Sequence, residues 1–310
     1  MAKLLKWIDH LSAQTYHSLY TFQLDGIDLL RQLQFEEFLY RKVAPATEKA
    51  AFFIVNNHKR TGAKAVVMGF AGKPEQFVKD VEKTKHDGIS IIKRFTGGGT
   101  VIVDENSLNT SIIASTAISK DISPTKICEW SYENIFKRSG LFNERFINLE
   151  GDYVVKGDNP AKTYNVSEQA IPYEYHKVAG NSQAFNIKAF VHHTVFPWNI
   201  SPLISQLLVQ PTKAPKYRQG RHHTEFMRCV TEALNPHLGM KTITDFEEGL
   251  CEKVNSSFGS LFDRKIHVTV SKLPSPHNIS NAIDKNLIHL SDEFIQQAIL
   301  CLSNPATQEC

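Results

Sequence analysis

The sequence predicts an α+β domain with a central mixed or antiparallel sheet and surrounding helices, and three observations lead to it. Residues 27–43 set Ile27, Leu30, Leu33 and Phe38 near one helical stripe, with Pro45 just past the end. Short runs rich in β-branched or aromatic residues then follow in close succession, separated by turn formers. From Ala184 the residues Phe185, Ile187, Ala189 and Val191 alternate with period two, which is strand spacing.

The elements follow in order. After the helix at 27–43, strands are expected at 52–55, 65–68 and 89–92, bounded by Asn56-Asn57, by Gly69 and Gly72-Lys73-Pro74, and by Asp87-Gly88. Two more, at 100–103 and 111–114, flank the turn-forming Asp104-Glu105-Asn106-Ser107, and helical spacing returns over 125–138 before Gly140. Between Val155 and Val178 the polar residues Gly157, Asp158, Asn159, Pro160 and Pro172 mark a connection longer than most in compact domains, a candidate mobile insertion. One strand is expected from Ala184 to about Trp198, then a basic Pro-containing loop over 211–223, helices at 224–234 and 245–258, and a strand at 265–270. Residues 1–272 thus read as one catalytic-sized domain. Residues 273–310, with Pro274, Pro276 and one helix-like run at 292–302, read as a tail too short for a second core.

Composition sets the outer limits. With 35 basic and 32 acidic side chains the 310-residue chain carries a net +3, which implies neither a nucleic-acid-coating surface nor an acidic solvating chain. A 42% hydrophobic content with 19 Phe supports a sizeable core. No stretch approaches the ~18 apolar residues of a membrane span, and Met1 to His10 lacks a signal-like apolar run, so no membrane partner and a cytoplasmic location are expected. Five scattered cysteines without CxxC spacing argue for free thiols over disulfides or structural zinc.

Chemistry concentrates in two stretches. In Lys93-Arg94-Phe95-Thr96-Gly97-Gly98-Gly99-Thr100, three consecutive glycines lose conformational entropy on folding and offer no packing, so close backbone approach to a ligand explains them better than stability. Exposed N–H groups in such a turn form an anion nest, and Arg94 would add a fixed cationic fork for phosphate. Neither the Walker spacing nor GxGxxG is present. The second stretch is His176-Lys177-Val178-Ala179-Gly180-Asn181-Ser182-Gln183-Ala184. Gly180 to Ala184 comes one residue short of a GxSxG nucleophile elbow, but an elbow runs from strand into helix and the residues after Ala184 alternate like a strand. The pairs His192-His193 and His222-His223 suggest metal binding. Neighbours on a strand point to opposite faces, however, so His192 and His193 cannot jointly chelate one ion. Asp152 stands alone before an apolar run.

Together these residues resemble the lipoate-protein ligase group of the biotin and lipoate ligase superfamily. Lys93, Arg94, Thr96 and Gly97 to Gly99 match its basic and glycine-rich motif, and Lys177 to Gln183 match its lysine motif. Asp152-Tyr153-Val154 and His192-His193-Thr194 match two further motifs in the same order, across roughly residues 35–270. Phe95, and Gly151 in place of a usual Asn, depart from the family pattern. The resemblance implies a two-step reaction: lipoate, or octanoate, is activated by ATP as acyl-AMP with release of pyrophosphate, and a lysine of an acceptor domain then takes the acyl group. It implies Lys177 as the catalytic residue, and Arg94, Gly97, Gly98, Gly99, Thr100, Val101, Ile102, Asp152, Lys177 and Gly180 as binding positions for ATP and lipoyl-AMP. It further implies Mg²⁺ arriving with the phosphates, with Asp152 either a ligand or an anchor behind the ligands. The acceptors implied are lipoyl domains of 2-oxoacid dehydrogenase acyltransferase subunits or the glycine-cleavage H protein.

Physical chemistry agrees with that implication. A lysine near the acyl phosphate stabilises charge on the phosphoryl oxygens and on departing AMP without itself being modified. An apolar tunnel burying the acyl chain at about 0.8 kcal/mol per methylene supplies on the order of 5 kcal/mol over roughly six equivalents. The punctuated segment carrying Lys213, Lys216, Arg218 and Arg221 has like charges and few apolar anchors, so a mobile lid that closes over the adenylate is expected there. Two other functions share the scaffold: acyl transfer through a cysteine thioester, and acyl binding without catalysis. Because 146–177 contains no cysteine and Cys128 falls in an expected helix, the ligase is the better reading.

Overall fold

The computed structural model describes residues 2–160, 173–211, 214–271, 287–302 and 304–310. Among these described residues, thirteen strands form two sheets. They are β1 (Ser18–Asp25), β2 (Ala50–Asn57), β3 (Ala65–Met68), β4 (Ser90–Lys93), β5 (Val101–Val103), β6 (Ser107–Ser115), β7 (Phe146–Leu149), β8 (Asp152–Pro160), β9 (Tyr173–Phe185), β10 (Ala189–Pro197), β11 (Arg264–Ser271), β12 (Leu287–Ser291) and β13 (Gln308–Glu309). The helices are α1 (Ala2–Ala13), α2 (Leu29–Phe38), α3 (Pro74–Phe77), α4 (Val81–His86), α5 (Ile127–Ser131), α6 (Leu203–Leu207), α7 (His223–Phe226), α8 (Ile243–Ser257) and α9 (Asp292–Leu300).

The large sheet runs β12-β11-β1-β2-β6-β10-β9-β8-β7, parallel from β12 to β2 and antiparallel from β2 to β7. The small sheet runs β13-β4-β3-β5 and is also mixed. This is the expected α+β architecture. In β2 every residue is buried, because Phe53 and Val55 enter one core while Phe52 and Ile54 enter the other. A strand covered on both faces reads as a continuous apolar run, and Ala50 to Val55 is one. Phe246, Leu250 and Val254 of α8 close the first core; α1, α2 and α9 supply Leu4, Phe35 and Ile295 to the second.

Four local expectations change. The helix from residue 27 is capped by Asp28, whose carboxylate accepts the Arg31 N–H at 3.0 Å, but it relaxes into a π-helical turn at Leu39–Val43 before Pro45. The period-two run from Ala184 is a hairpin and not one strand. The Asn186 side chain accepts from the N–H groups of both Lys188 and Ala189 at 2.8 Å, reversing the chain and leaving Ile187 96% exposed. The helix expected at 224–234 breaks into α7 and a 3₁₀ turn at Val230–Glu232, because Arg228 N–H is drawn to the Lys177 carbonyl at 2.9 Å. Strands β8 and β9 extend into the polar connection from either side; its middle, 161–172, lies outside the described residues.

The C-terminal residues join both sheets. β12 extends the parallel half beside β11, and β13 pairs with β4. The buried Glu37 carboxylate accepts the N–H groups of Ala306 and Thr307, so this segment satisfies a charge inside the domain. Among the described residues no helix is long and apolar enough to cross a membrane.

A second buried carboxylate ties α8 to the sheet. Glu247 is fully buried and accepts Gln23 and Asn57 amides at 2.8 and 2.9 Å, with Arg60 at 2.9 Å. Glu247→Ala is expected to destabilise the fold by about 2–4 kcal/mol in urea denaturation, since two amide donors lose their acceptor and Arg60 the nearer of its two carboxylates, keeping only Asp25 at 3.5 Å. A loss below about 0.5 kcal/mol would show that water replaces the carboxylate.

Candidate active site

The glycine turn lies between β4 and β5 and is shaped by Arg94. That side chain is 3% exposed and faces inward. Its Nε donates to Thr96 Oγ1 at 2.9 Å, Nη1 to the Val67 carbonyl at 3.2 Å, and Nη2 to the carbonyls of Gly97 and Gly99 at 2.9 and 2.7 Å. Burial lowers its pKa to about 10, so it stays charged at neutral pH. The fork expected to face a phosphate therefore holds the turn instead. Gly98 has φ 101°, and a Cβ there would lie 3.0 Å from Arg94 Nη2 and 3.2 Å from Ser182 Cβ. Gly69 carries the other close approach: its Cβ would sit 2.6 Å from the Gly98 carbonyl oxygen.

Beside the turn, β9 brings Lys177 into place through an irregularity. Tyr153 pairs with Ala179 but Val154 pairs with Lys177, so Val178 is one residue extra on β9. Such a bulge re-aims side chains. Tyr153 and Ala179 enter the core beneath the sheet, whereas Val154 packs with Tyr217 and Phe226 on the side to which Lys177 turns. There Lys177 Nζ meets Asp152 Oδ1 at 2.6 Å, and the Tyr217 hydroxyl donates to Asp152 Oδ2 at 2.9 Å.

Two cavities meet here. The larger, about 220 Å³, is lined by Gly99, Thr100, Val101, Ile102, Lys177 and Gly180 together with apolar residues that include Phe77, Leu208, Phe226 and Met227. The smaller, about 30 Å³, shares Val101, Gly180 and Val195 with it and is walled by Leu29, Leu33, Val67 and Val103. Its floor is polar: Glu36 and His193 approach to 2.9 Å, and His193 Nδ1 faces Ser182 Oγ at 3.2 Å. No pattern in the sequence pointed to Glu36, Ser182 and His193 as a set, since three elements contribute them.

The remaining expected residues separate. His192 turns to the opposite face from His193, where its Nε2 lies 3.5 Å from Cys128 Sγ. Burial lowers His192 to about 3, so it is a neutral core imidazole. Burial, then the Asp152 carboxylate, pushes the Cys128 thiol up to about 11, with Lys177 easing it slightly. Cys128 lines neither cavity. The basic segment is also more anchored than its composition suggested. Tyr217 is 1% exposed, Arg218 donates to Gln210 and the Arg221 carbonyl, and Arg221 pairs with Glu174 at 3.0 Å. Both guanidinium groups lie over the Phe226 ring, 4.9 and 5.6 Å from its centroid. Like charges thus find carboxylate, carbonyl and aromatic partners within the protein. Lys216 is exposed, with its backbone N–H on Glu150, and Lys213 lies outside the described residues.

A glycine turn and a lysine lining one cleft, a smaller cavity sharing its wall, and a mixed nine-stranded sheet form one arrangement. Residues 28–254 match the lipoyl protein ligase A/B catalytic domain. The chain belongs to that family. A Plasmodium falciparum (isolate 3D7) protein named inactive lipoate–protein ligase 2 is 30% identical over 328 residues, covering 92% of this chain and 83% of that protein. Among solved structures, the bipartite lipoate protein ligase of Thermoplasma acidophilum, described with its E2 lipoyl domain, matches with a TM-score of 0.56 at 16% identity, over 91% of this chain and 92% of that one. A lipoate-protein ligase A bound with ATP matches with a TM-score of 0.54 at 18% identity, over 92% and 93%. At these identities the structural likeness establishes the ligase catalytic fold.

Gly98→Val is expected to abolish lipoyl-AMP binding in a folded protein. A β-branched side chain cannot easily hold φ 101°, and its Cβ would press on Arg94 and Ser182. The stability loss should stay near 1–3 kcal/mol. Calorimetry showing lipoyl-AMP affinity within threefold of wild type would contradict the anion-nest assignment of the turn.

Proposed function

We propose that this member of the family is an ATP-dependent lipoate–protein ligase, and the observation carrying the proposal is the place of Lys177. Its ammonium lines the larger cleft together with Gly99 to Ile102, and Val101, Gly180 and Val195 are shared between that cleft and the smaller cavity. An acyl chain entering by way of the smaller cavity would present its carboxylate near that shared wall, and a nucleotide in the cleft would present its α-phosphate to Lys177. In the first step a carboxylate oxygen of lipoate attacks the α-phosphorus of ATP, forming the mixed anhydride and releasing pyrophosphate. In the second the neutral amine of an acceptor lysine attacks the acyl carbon, AMP leaves with the bonding electron pair, and the amine proton passes to solvent. Lys177 exchanges Asp152 for the phosphoryl oxygens and stabilises charge in both steps. Gly99 to Ile102, which line the cleft, offer backbone to the phosphate, and Gly180 leaves room beside Val101.

Asp152 accepts from Lys177 and Tyr217 through one oxygen each, and its remaining lone pairs could hold a magnesium ion that arrives with the phosphates, directly or through a bound water. Lipoyl domains of acyltransferase subunits, or a glycine-cleavage H protein, are the proposed acceptors, in keeping with the E2 lipoyl domain of the Thermoplasma system.

One observation favours a second reading, transfer from acyl-AMP supplied by another adenylating enzyme. Lys177 and Arg218, which line the cleft, each have protein partners, Arg94 is committed to the turn, and burial lowers the cleft's His223 to about 4, leaving it neutral. That supply of positive charge suits one phosphate better than three. A cysteine-based transferase is disfavoured by the place and raised pKa of Cys128.

Incubation with lipoate and Mg-ATP should release pyrophosphate; acyl transfer from supplied lipoyl-AMP to a lipoyl domain without pyrophosphate release from ATP would select the second reading. Absence of both activities would reject each. Lys177→Ala should fold normally and lose at least about 100-fold in either half-reaction, because a cation facing the transition-state charge is removed without loss of core volume. Pyrophosphate release near the wild-type rate in that variant would remove Lys177 from the mechanism. Replacing Cys128, Cys229 and Cys251 together by Ala should leave ligation largely intact, whereas a trapped acyl-thioester in mass spectrometry would point to cysteine chemistry.

A further inference from the structure

The Tyr217 hydroxyl reaches Asp152, the partner of Lys177, although Tyr217 lines neither cavity. Its ring is 1% exposed and packs on Phe226, with centroids 5.2 Å apart, beside Val154. Burial, and after it the Asp152 carboxylate, holds the phenol far above its ordinary pKa, so it remains a hydrogen-bond donor at any working pH. The donor is directed at Asp152 Oδ2, leaving Oδ1 for Lys177. One carboxylate thus spans the two residues.

The segment also grips the backbone of Lys177. Arg228 N–H donates to the Lys177 carbonyl at 2.9 Å, and Met227 forms a parallel bridge with Lys177. Upstream, the Lys216 N–H rests on Glu150, and Arg221 Nη2 donates to the Tyr217 carbonyl at 2.8 Å. Gln219 and Gly220 hold φ 53° and 73°, a tight reversal that keeps Tyr217 against the sheet. Arg218, next to Tyr217, lines the cleft. What occupies the cleft therefore borders the same turn that fixes Asp152.

We propose that Tyr217 is a positioning residue for Lys177: by fixing the Asp152 carboxylate it holds the ammonium at the mouth of the cleft and couples the lysine to the position of the 214–228 segment. The proposal rests on the reading of Lys177 as the phosphate-facing cation. The hydroxyl touches no substrate. Without it, Asp152 keeps its charge but loses the donor that selects its orientation, and Lys177 is released to a broader set of conformations.

Tyr217→Phe keeps the ring and removes only the hydroxyl. Lys177 reactivity is read first, by competitive acetylation with acetic anhydride and mass spectrometry, with exposed Lys137 as internal reference. Lys177 in the variant should label at least about threefold faster relative to Lys137. Unchanged or slower labelling overturns the proposal, and this arm holds whether or not the protein ligates. Acyl-adenylate formation is read second: kcat should fall about tenfold while KM for lipoate and for ATP stays within about twofold, because ground-state contacts are untouched. The third readout is non-additivity. In an Asp152→Asn background Tyr217→Phe should cause no further loss, whereas independent, multiplying losses mean that Tyr217 does not act through Asp152. If the wild-type protein forms no adenylate from lipoate and ATP, the ligase reading fails, and the labelling result decides the positioning role by itself.

Discussion

A guanidinium buried against four carbonyl and hydroxyl oxygens joins the two sheets of this protein. Arg94 leaves β4, reaches the Val67 carbonyl on β3, and holds the carbonyls of Gly97 and Gly99 and the hydroxyl of Thr96. Thr96 in turn lies 3.0 Å from Ser182 on β9, which faces His193 on β10. An isolated buried charge would be prohibitively unfavourable, so the chain around Arg94 must turn its carbonyls inward. The Gly97 N–H is likewise spent within the protein, on the Gln183 carbonyl at 3.0 Å. The anion contact proposed for this turn therefore falls to Gly99 and the residues after it, which line the cleft, and glycine is required at 98, where a Cβ would meet that same guanidinium.

The cleft inherits its geometry from this junction. The small sheet supplies Val101 and Ile102, the large sheet supplies Lys177 and Gly180, and the two cavities share Val101 and Gly180 where the sheets meet. Rigidity on this side contrasts with the opposite wall, which is assembled from short helices and turns over 199–227. Its members are nevertheless well anchored, by Arg221 on Glu174 and by the stack of two guanidinium groups on Phe226. Motion of this wall would break several buried polar contacts together, which favours two discrete positions over continuous fluctuation.

Family membership and catalysis are separate matters here. The catalytic domain spans most of the chain, yet one similar Plasmodium protein is named inactive. The physical question is how much positive charge the cleft can offer. Lys177 is paired with the Asp152 carboxylate, whereas Arg218 meets the Gln210 amide oxygen and the Arg221 carbonyl and has no carboxylate partner among the described residues. Activity therefore depends on whether incoming phosphate competes successfully with Asp152 for Lys177, a contest between a desolvated carboxylate and a more highly charged ligand.

Much of the fold was legible because its signals are local. The strands at 52–55, 65–68, 89–92, 100–103 and 111–114 each fall within or beside an observed strand, since apolar runs bounded by Gly, Asn and Asp leave few alternatives. The glycine turn and the lysine motif were legible because their residue types have few other uses at that spacing. Other features were not. Nothing in the sequence assigned β1, whose residues are buried between two parallel neighbours that lie far away along the chain. Ile187 kept the alternation of its neighbours while standing at an exposed turn, because one Asn side chain captured two N–H groups. By itself the sequence determined the α+β class and the glycine turn, and it singled out Lys177. Tertiary structure alone decided that Arg94 faces inward, that Cys128 lies beneath the sheet, and that Tyr217 and Asp152, 65 residues apart, meet at the lysine. Those outcomes turn on which face of a strand a side chain occupies and which distant partner satisfies it, and one extra residue in β9 was enough to change the face.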